Sequence, residues 1–260
     1  MSTAGVTSTS SRATRVLGGL LVVGIALHVL LSFVWSDADA SQGDLVRILY
    51  IHVPIAWLMY LAFSVTAFGG LMYLWKRSVW WDLVAGASAE VGVMFCALAL
   101  VTGAIWGRHT WGTYWEWTDV RIVTTLILLL LYIGYLAVRR IPGEPEQRSR
   151  RSAVVGIVGA LNIPIVHFSV SWWADRTLHQ KATVAIGDTK LEGLMLFSLF
   201  FGLVLFTGIY AWLMMHRFRI AWLEDQLDHH GLDAALAERR AEGSRGVARA
   251  IGMVGTGVDA

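Results

Sequence analysis

The chain has 260 residues, 56% of them hydrophobic and only 15% charged, with a positive mean hydropathy and a formal net charge of +2. A soluble domain of this size carries about a quarter charged residues, and so balanced a charge gives no footprint for nucleic acid. The one cysteine, Cys96, excludes an intrachain disulfide and any C-x-x-C pair for thiol exchange.

The charges collect between long apolar stretches. That pattern belongs to helices that cross a bilayer, each needing ~20 apolar residues whose backbone groups are satisfied within the helix. A Ser/Thr-rich segment with Arg12 and Arg15 occupies residues 1–15, and an apolar run follows over 16–35. Ala38-Asp39-Ala40 resembles a signal-peptidase site. The run before it exceeds the ~7–15 residues of a signal core, so it is read as a first transmembrane helix. Further apolar stretches cover about 48–75, closed by Lys76 and Arg77, then 83–105, and 122–138 before Arg139 and Arg140. The last two cover about 153–170 and 191–215, the latter before Arg217 and Arg219. Pro54 falls near the start of the second stretch, where a missing N–H costs little. Pro164 falls late in the fifth and predicts a kink or an end there. From Ala221 to about Glu242 leucines and alanines mix with both signs of charge, predicting an amphipathic helix before a disordered Gly-rich end. The fold class expected is all-α: a polytopic membrane protein of about six transmembrane helices. An N-terminal segment 1–15, a six-helix domain 16–216 and a tail 217–260 make up its organisation.

Lys and Arg fix the expected orientation. Fifteen lie at the N-terminus, between the second and third stretches, between the fourth and fifth, and in the tail. Only six, Arg47, Arg108, Arg121, Arg176, Lys181 and Lys190, fall in the other connections. The positive-inside rule then puts both termini in the cytoplasm and turns residues 36–52, 106–121 and 171–190 outward.

The most unusual outward segment is 106–121, with Trp106, Trp111, Trp115, Trp117 and Tyr114 among glycines and charges. A belt of aromatic residues at the headgroup level explains any one of these tryptophans. Their concentration in one loop suits a large, flat, partly apolar ligand lying at the membrane surface. His52 and His179 flank that loop from separate segments of the same face, and imidazole is the commonest axial ligand of haem iron. His167 reads better as a hydrogen-bonded interhelical histidine, and His109 as a spare ligand. Arg47, Arg108, Arg121 and Arg176 could pair with propionates or simply snorkel to the interface. His28 and Glu90 lie in apolar stretches where an ionisable group needs a partner, and the sequence names none.

The segment Trp111-Gly112-Thr113-Tyr114-Trp115-Glu116-Trp117-Thr118-Asp119-Val120-Arg121 resembles the signature of the tryptophan-rich WWD family of haem-handling membrane proteins. The segment 47–54 around His52, and 162–173 with Thr177-Leu178-His179-Gln180, look like the surroundings of that family's two external histidines. Three motifs in order cover roughly residues 45–215. The modest length is similar to the shorter branch, that of cytochrome c maturation protein C. The resemblance implies that His52 and His179 are axial ligands of a non-covalently bound haem b. It also implies that Trp106, Trp111, Gly112, Trp115, Trp117, Asp119 and Arg121 belong to the haem platform. The function implied is presentation of haem on the periplasmic side of the bacterial inner membrane. Haem would be loaded onto the chaperone cytochrome c maturation protein E, with an ABC transporter of the same system releasing the loaded chaperone. One departure stands out: the family's Trp-Asp-x-Arg reads here Trp117-Thr118-Asp119-Val120-Arg121. An extra residue would turn the fourth helix by ~100° if the helix began there.

No G-x-x-x-x-G-K-[ST] occurs, so nucleotide hydrolysis by that route is excluded. No acid–base pair stands out, which leaves a lyase-type activity open. Two other classes remain: a transporter moving haem or another small solute, and a structural subunit whose aromatic loop docks a partner. A transporter would carry more ionisable groups or broken helices at mid-membrane than His28, Glu90 and Pro164 provide.

Overall fold

A computed structural model describes residues 10–180, 184–185 and 188–255; Lys181, counted above among the outward charges, lies outside them. Residues 10–218 form one compact unit, and residues 219–255 belong to another, helical throughout.

The first helix, α1 (Arg12–Leu30), opens on Ser11, whose hydroxyl accepts from the Thr14 N–H while Thr14 Oγ1 accepts from the Ser11 N–H. Its last turn widens into a π-helix, Leu31–Trp35. There follow α2 (Val46–Lys76), α3 (Val79–Trp111) and α4 (Val120–Arg139). α5 (Pro145–Ala160) and α6 (Asn162–Trp172) share one crossing, interrupted at Leu161. Pro164 accounts for the break, because it has no N–H for the Ala160 carbonyl and its ring crowds that oxygen. A 3₁₀ turn at Ala174–Arg176 and two paired two-residue strands, β1 (Val184–Ala185) and β2 (Asp188–Thr189), lead to α7 (Gly193–Gly255). Six helical segments are long and apolar enough to span a bilayer, so the chain is a multi-pass membrane protein.

α3 runs six residues past the apolar stretch read from sequence. Trp106 and Trp111 therefore stand on a helix and not in a loop. Gly112 stops it at φ 77, a left-handed conformation that favours glycine.

Between helices in lipid, close packing and hydrogen bonds replace the hydrophobic drive, and both are dense where α2, α3, α4 and α5 meet. Phe63 and Tyr132 stack with centroids 3.7 Å apart, and the Tyr132 hydroxyl lies 3.2 and 3.0 Å from the Phe63 and Gly156 carbonyls. A side chain on Gly92 would stand 2.6 Å from the Phe63 ring, so only a bare backbone fits. α7 joins through Ser88 Oγ, 2.7 Å from Tyr210 Oη. Glu90, unassigned in the sequence, pairs with the Arg217 guanidinium through both carboxylate oxygens.

Candidate functional site

His52 sits two turns into α2 and points its Nδ1 at Thr102 Oγ1 on α3, 2.8 Å away. Thr102 gives its one hydroxyl hydrogen to the Leu98 carbonyl at 2.8 Å. It can therefore only accept from the imidazole. The ring proton is on Nδ1, and Nε2 keeps its lone pair. Gly103 supports the ring edge, since a methyl there would come within 3.2 Å of His52 Cε1.

His179 is placed by Asp119. One oxygen of that buried carboxylate caps α4, accepting from the Ile122 N–H at 2.9 Å. The other accepts from the Leu178 N–H at 2.6 Å and the Thr177 hydroxyl at 3.1 Å. Thr177 Oγ1 in turn accepts from the His179 N–H at 3.2 Å. The start of α4 and the loop that carries His179 thus share one anchor. His179 Nδ1 donates to the Gln180 carbonyl at 2.8 Å, which again leaves Nε2 unprotonated. Its ring lies 6.0 Å from Trp106 and 6.2 Å from Trp111, and those two indoles meet edge to face at 5.3 Å.

Both histidines open onto one cavity of about 1040 Å³. Trp106, Trp111, Trp115 and Arg121 share its lining, as do aliphatic and aromatic side chains of α2, α3, α6 and α7. Three features call for a ligand with acceptor groups. The Trp106 and Trp115 indole N–H groups are buried without a partner. Arg121 faces the same space, and none of the ion pairs among the described residues includes it. Among those residues no three His, Cys, Asp or Glu side chains converge. A bare metal ion would find too few ligands here, whereas a flat macrocycle that already holds its metal needs only axial ones.

Most of the other residues singled out from sequence lie outside the cavity lining. Trp117 is 72% exposed and touches Trp115 at 5.3 Å. Gly112 ends α3, and Asp119 acts from behind the cavity wall; neither lines it. Arg47 binds Asp44 and the Phe33 carbonyl. Arg108 holds the Gly112 carbonyl at 2.6 Å, its guanidinium 5.7 Å from the centre of the Tyr114 ring. His167 lines the cavity against Tyr60, whereas His109 is exposed and outside it. Thr118 precedes α4, and its N–H and hydroxyl donate to Glu116 Oε1 at 3.1 and 2.9 Å. Those bonds hold the Glu116 carboxyl below the ordinary range. Asp119 is the N-cap of α4 and Arg121 faces the cavity.

Sequence reasoning missed Thr102 and Gly103. Their signal is Thr102 itself, a polar residue in an apolar helix one turn before Trp106.

Burial, and next the Arg121 cation, push the His179 imidazole down from 6.5 to about 4. The unfolded chain then binds more protons than the folded one between those values. Stability is full above about pH 6.5 and falls as pH drops toward 4, by about 3 kcal/mol for this group. Thermal melts of the ligand-free protein at pH 7 and pH 4.5 should show that loss, and His179→Ala should shrink it.

Residues 2–232 match the family described as Heme exporter protein C. Over 204 residues the chain is 40% identical to a Heme exporter protein C of Bradyrhizobium diazoefficiens, covering 78% of this chain and 76% of that protein. It is 39% identical over 165 residues to the protein of that name in Escherichia coli K12, covering 62% of this chain and 65% of the relative, just under two thirds of its length. A putative cytochrome c biosynthesis ccmC-like mitochondrial protein of Marchantia polymorpha is 32% identical over 204 residues, covering 77% of this chain and 86% of that protein.

Proposed function

This chain belongs to the heme exporter protein C family, and we propose that it holds haem b non-covalently between His52 and His179 for delivery during cytochrome c maturation. One observation carries the reading. Two imidazoles from separate segments, each with Nδ1 protonated by a fixed acceptor and Nε2 free, line one largely apolar cavity; His167 lines it too, but among the described residues no three His, Cys, Asp or Glu side chains converge as metal ligands. Iron already held by a porphyrin takes its two axial ligands from such a pair. Trp106, Trp111 and Trp115 supply flat apolar wall. Arg121 and the two orphaned indole N–H groups suit the carboxylates of the propionates.

Haem is cargo in this reading, and the protein's part is to bind and orient it. The distribution of Lys and Arg supports an orientation with the cavity on the periplasmic side of the inner membrane. Exposed Trp117 and Tyr114 beside the cavity would then meet the haem chaperone, cytochrome c maturation protein E. The ABC transporter of the system would act on the loaded chaperone.

The test is an absorption spectrum of the detergent-purified protein after addition of haem. The wild type should give a Soret band and the visible bands of a low-spin, six-coordinate iron. His52→Ala and His179→Ala should each convert it to a five-coordinate spectrum with affinity lowered about 10–100-fold. A wild type that takes up no haem, or single variants with unchanged spectra, would defeat the assignment.

A further inference from the structure

The helical turn that carries His52 lacks its own hydrogen bond. Pro54 has no N–H to give to the carbonyl four residues earlier, which is that of Tyr50. Those two residues bracket His52. The Tyr50 carbonyl is nevertheless satisfied: His28 Nε2, from α1, lies 3.1 Å from it. A carbonyl only accepts, so Nε2 carries the proton, and Nδ1 is left to accept from the Ser32 hydroxyl at 3.4 Å. His28 is buried, at 4% exposure, between the rings of Phe201 and Phe206 at 6.0 and 6.1 Å.

Two more contacts fix the same spot. The Tyr50 phenol, fully buried, lies 2.8 Å from Ser36 Oγ, just after the π-helical turn that ends α1. Gly202 on α7 closes the far side. A Cβ there would stand 2.7 Å from His28 Cε1 and 3.2 Å from Pro54 Cγ. So His28, Tyr50, Pro54 and Gly202 form one node, drawn from α1, α2 and α7. An ionisable residue buried in an apolar helix is costly and needs a reason to be there. The missing backbone donor supplies one.

We propose that His28 is a positioning residue for haem ligation: it replaces the hydrogen bond that Pro54 removes and so fixes the turn from which His52 presents Nε2. The proposal rests on the reading of His52 as an axial ligand. It also gives α1 a role beyond spanning the membrane. A continuous helix would hold His52 by local bonds alone, whereas here the second helix is closed by the first.

The test is a rescue. Pro54→Ala returns an N–H to the helix at the atom that His28 serves. Amide hydrogen exchange of the ligand-free protein is measured over residues 46–56 in wild type, His28→Ala, His28→Gln and His28→Ala/Pro54→Ala. Leaving one buried carbonyl without a donor should speed exchange there roughly tenfold in His28→Ala. The double variant should return to within about threefold of wild type, as should His28→Gln, whose carboxamide can still donate. With haem added, His28→Ala should lose low-spin character and the double variant should regain it. A merely space-filling histidine would show no rescue by Pro54→Ala. If His28→Ala exchanges like wild type, or the double variant is no better than His28→Ala, the proposal is wrong. Should His28→Ala fail to fold, the double variant must fold for the proposal to stand. A wild type that binds no haem would remove the ligation reading beneath it, and with it the positioning role, whatever the exchange data say of the staple.

Discussion

Asp119→Ala is expected to lower stability by about 4 kcal/mol or more and to release His179 from the cavity. Its two oxygens serve different structures, and both effects follow from that. Loss of the cap on α4 alone costs about 1 kcal/mol. The second oxygen accepts from the Leu178 N–H at 2.6 Å and the Thr177 hydroxyl at 3.1 Å, bonds to a buried charge. Each such bond contributes roughly 1.5–3 kcal/mol, and removing the acceptor leaves the Leu178 N–H unpaired. Asp119→Asn separates the effects. An amide retains one acceptor oxygen, enough to cap Ile122, but its NH₂ would face the Leu178 N–H, donor against donor. That variant should regain only the roughly 1 kcal/mol of the cap relative to Asp119→Ala and still fail to give a low-spin haem spectrum. If Asp119→Asn binds haem as well as wild type, the carboxylate is only a helix cap, and His179 is placed by something else.

Asp119 also shows where sequence reading reached its limit. The aromatic segment and the two histidines were legible because their residue types are rare in apolar helices and their order is that of a known signature. Six apolar stretches gave the six spans for the same reason: hydrocarbon thickness dictates length. Which face each residue of the segment presents was not legible. A loop has no period, so Trp115 in the cavity wall and Trp117 at 72% exposure read alike in sequence. The six additional helical residues of α3 were hidden because Trp106-Gly107-Arg108-His109-Thr110-Trp111 is not an apolar pattern; the helix persists until Gly112 can turn left-handed. With that helix known, Thr102 and Trp106 fall four apart on one face, and the brace of His52 becomes visible. The Tyr50 carbonyl that His28 meets and the Arg217 that Glu90 meets lay 22 and 127 residues away, beyond any local rule.

Asp82→Ala is expected to cost about 3–5 kcal/mol while leaving the proposed haem site unchanged. Asp82, near the start of α3, grips Arg139 at the end of α4 through two bonds of 2.6 and 2.9 Å, with side-chain exposures of 6% and 17%. The Tyr135 hydroxyl adds a contact at 3.4 Å, and Gly86 lets the guanidinium lie against the helix, since a Cβ there would stand 2.9 Å from it. Such a pair contributes little beyond what two well-packed apolar residues would, but cutting one partner strands the other charge in a largely buried place. The single and double variants should therefore diverge. Asp82→Ala should unfold early in thermal melts, and Asp82→Leu/Arg139→Met should come within about 1 kcal/mol of wild type. Along α3, Asp82 is ~36 Å from Trp106 at 1.5 Å per residue. At a temperature where Asp82→Ala is still folded, its haem spectrum should match that of wild type. A spectrum altered in proportion to the lost stability would instead mean that the tilt of α3 against α4, set by this pair, reaches Thr102 and the ring of His52.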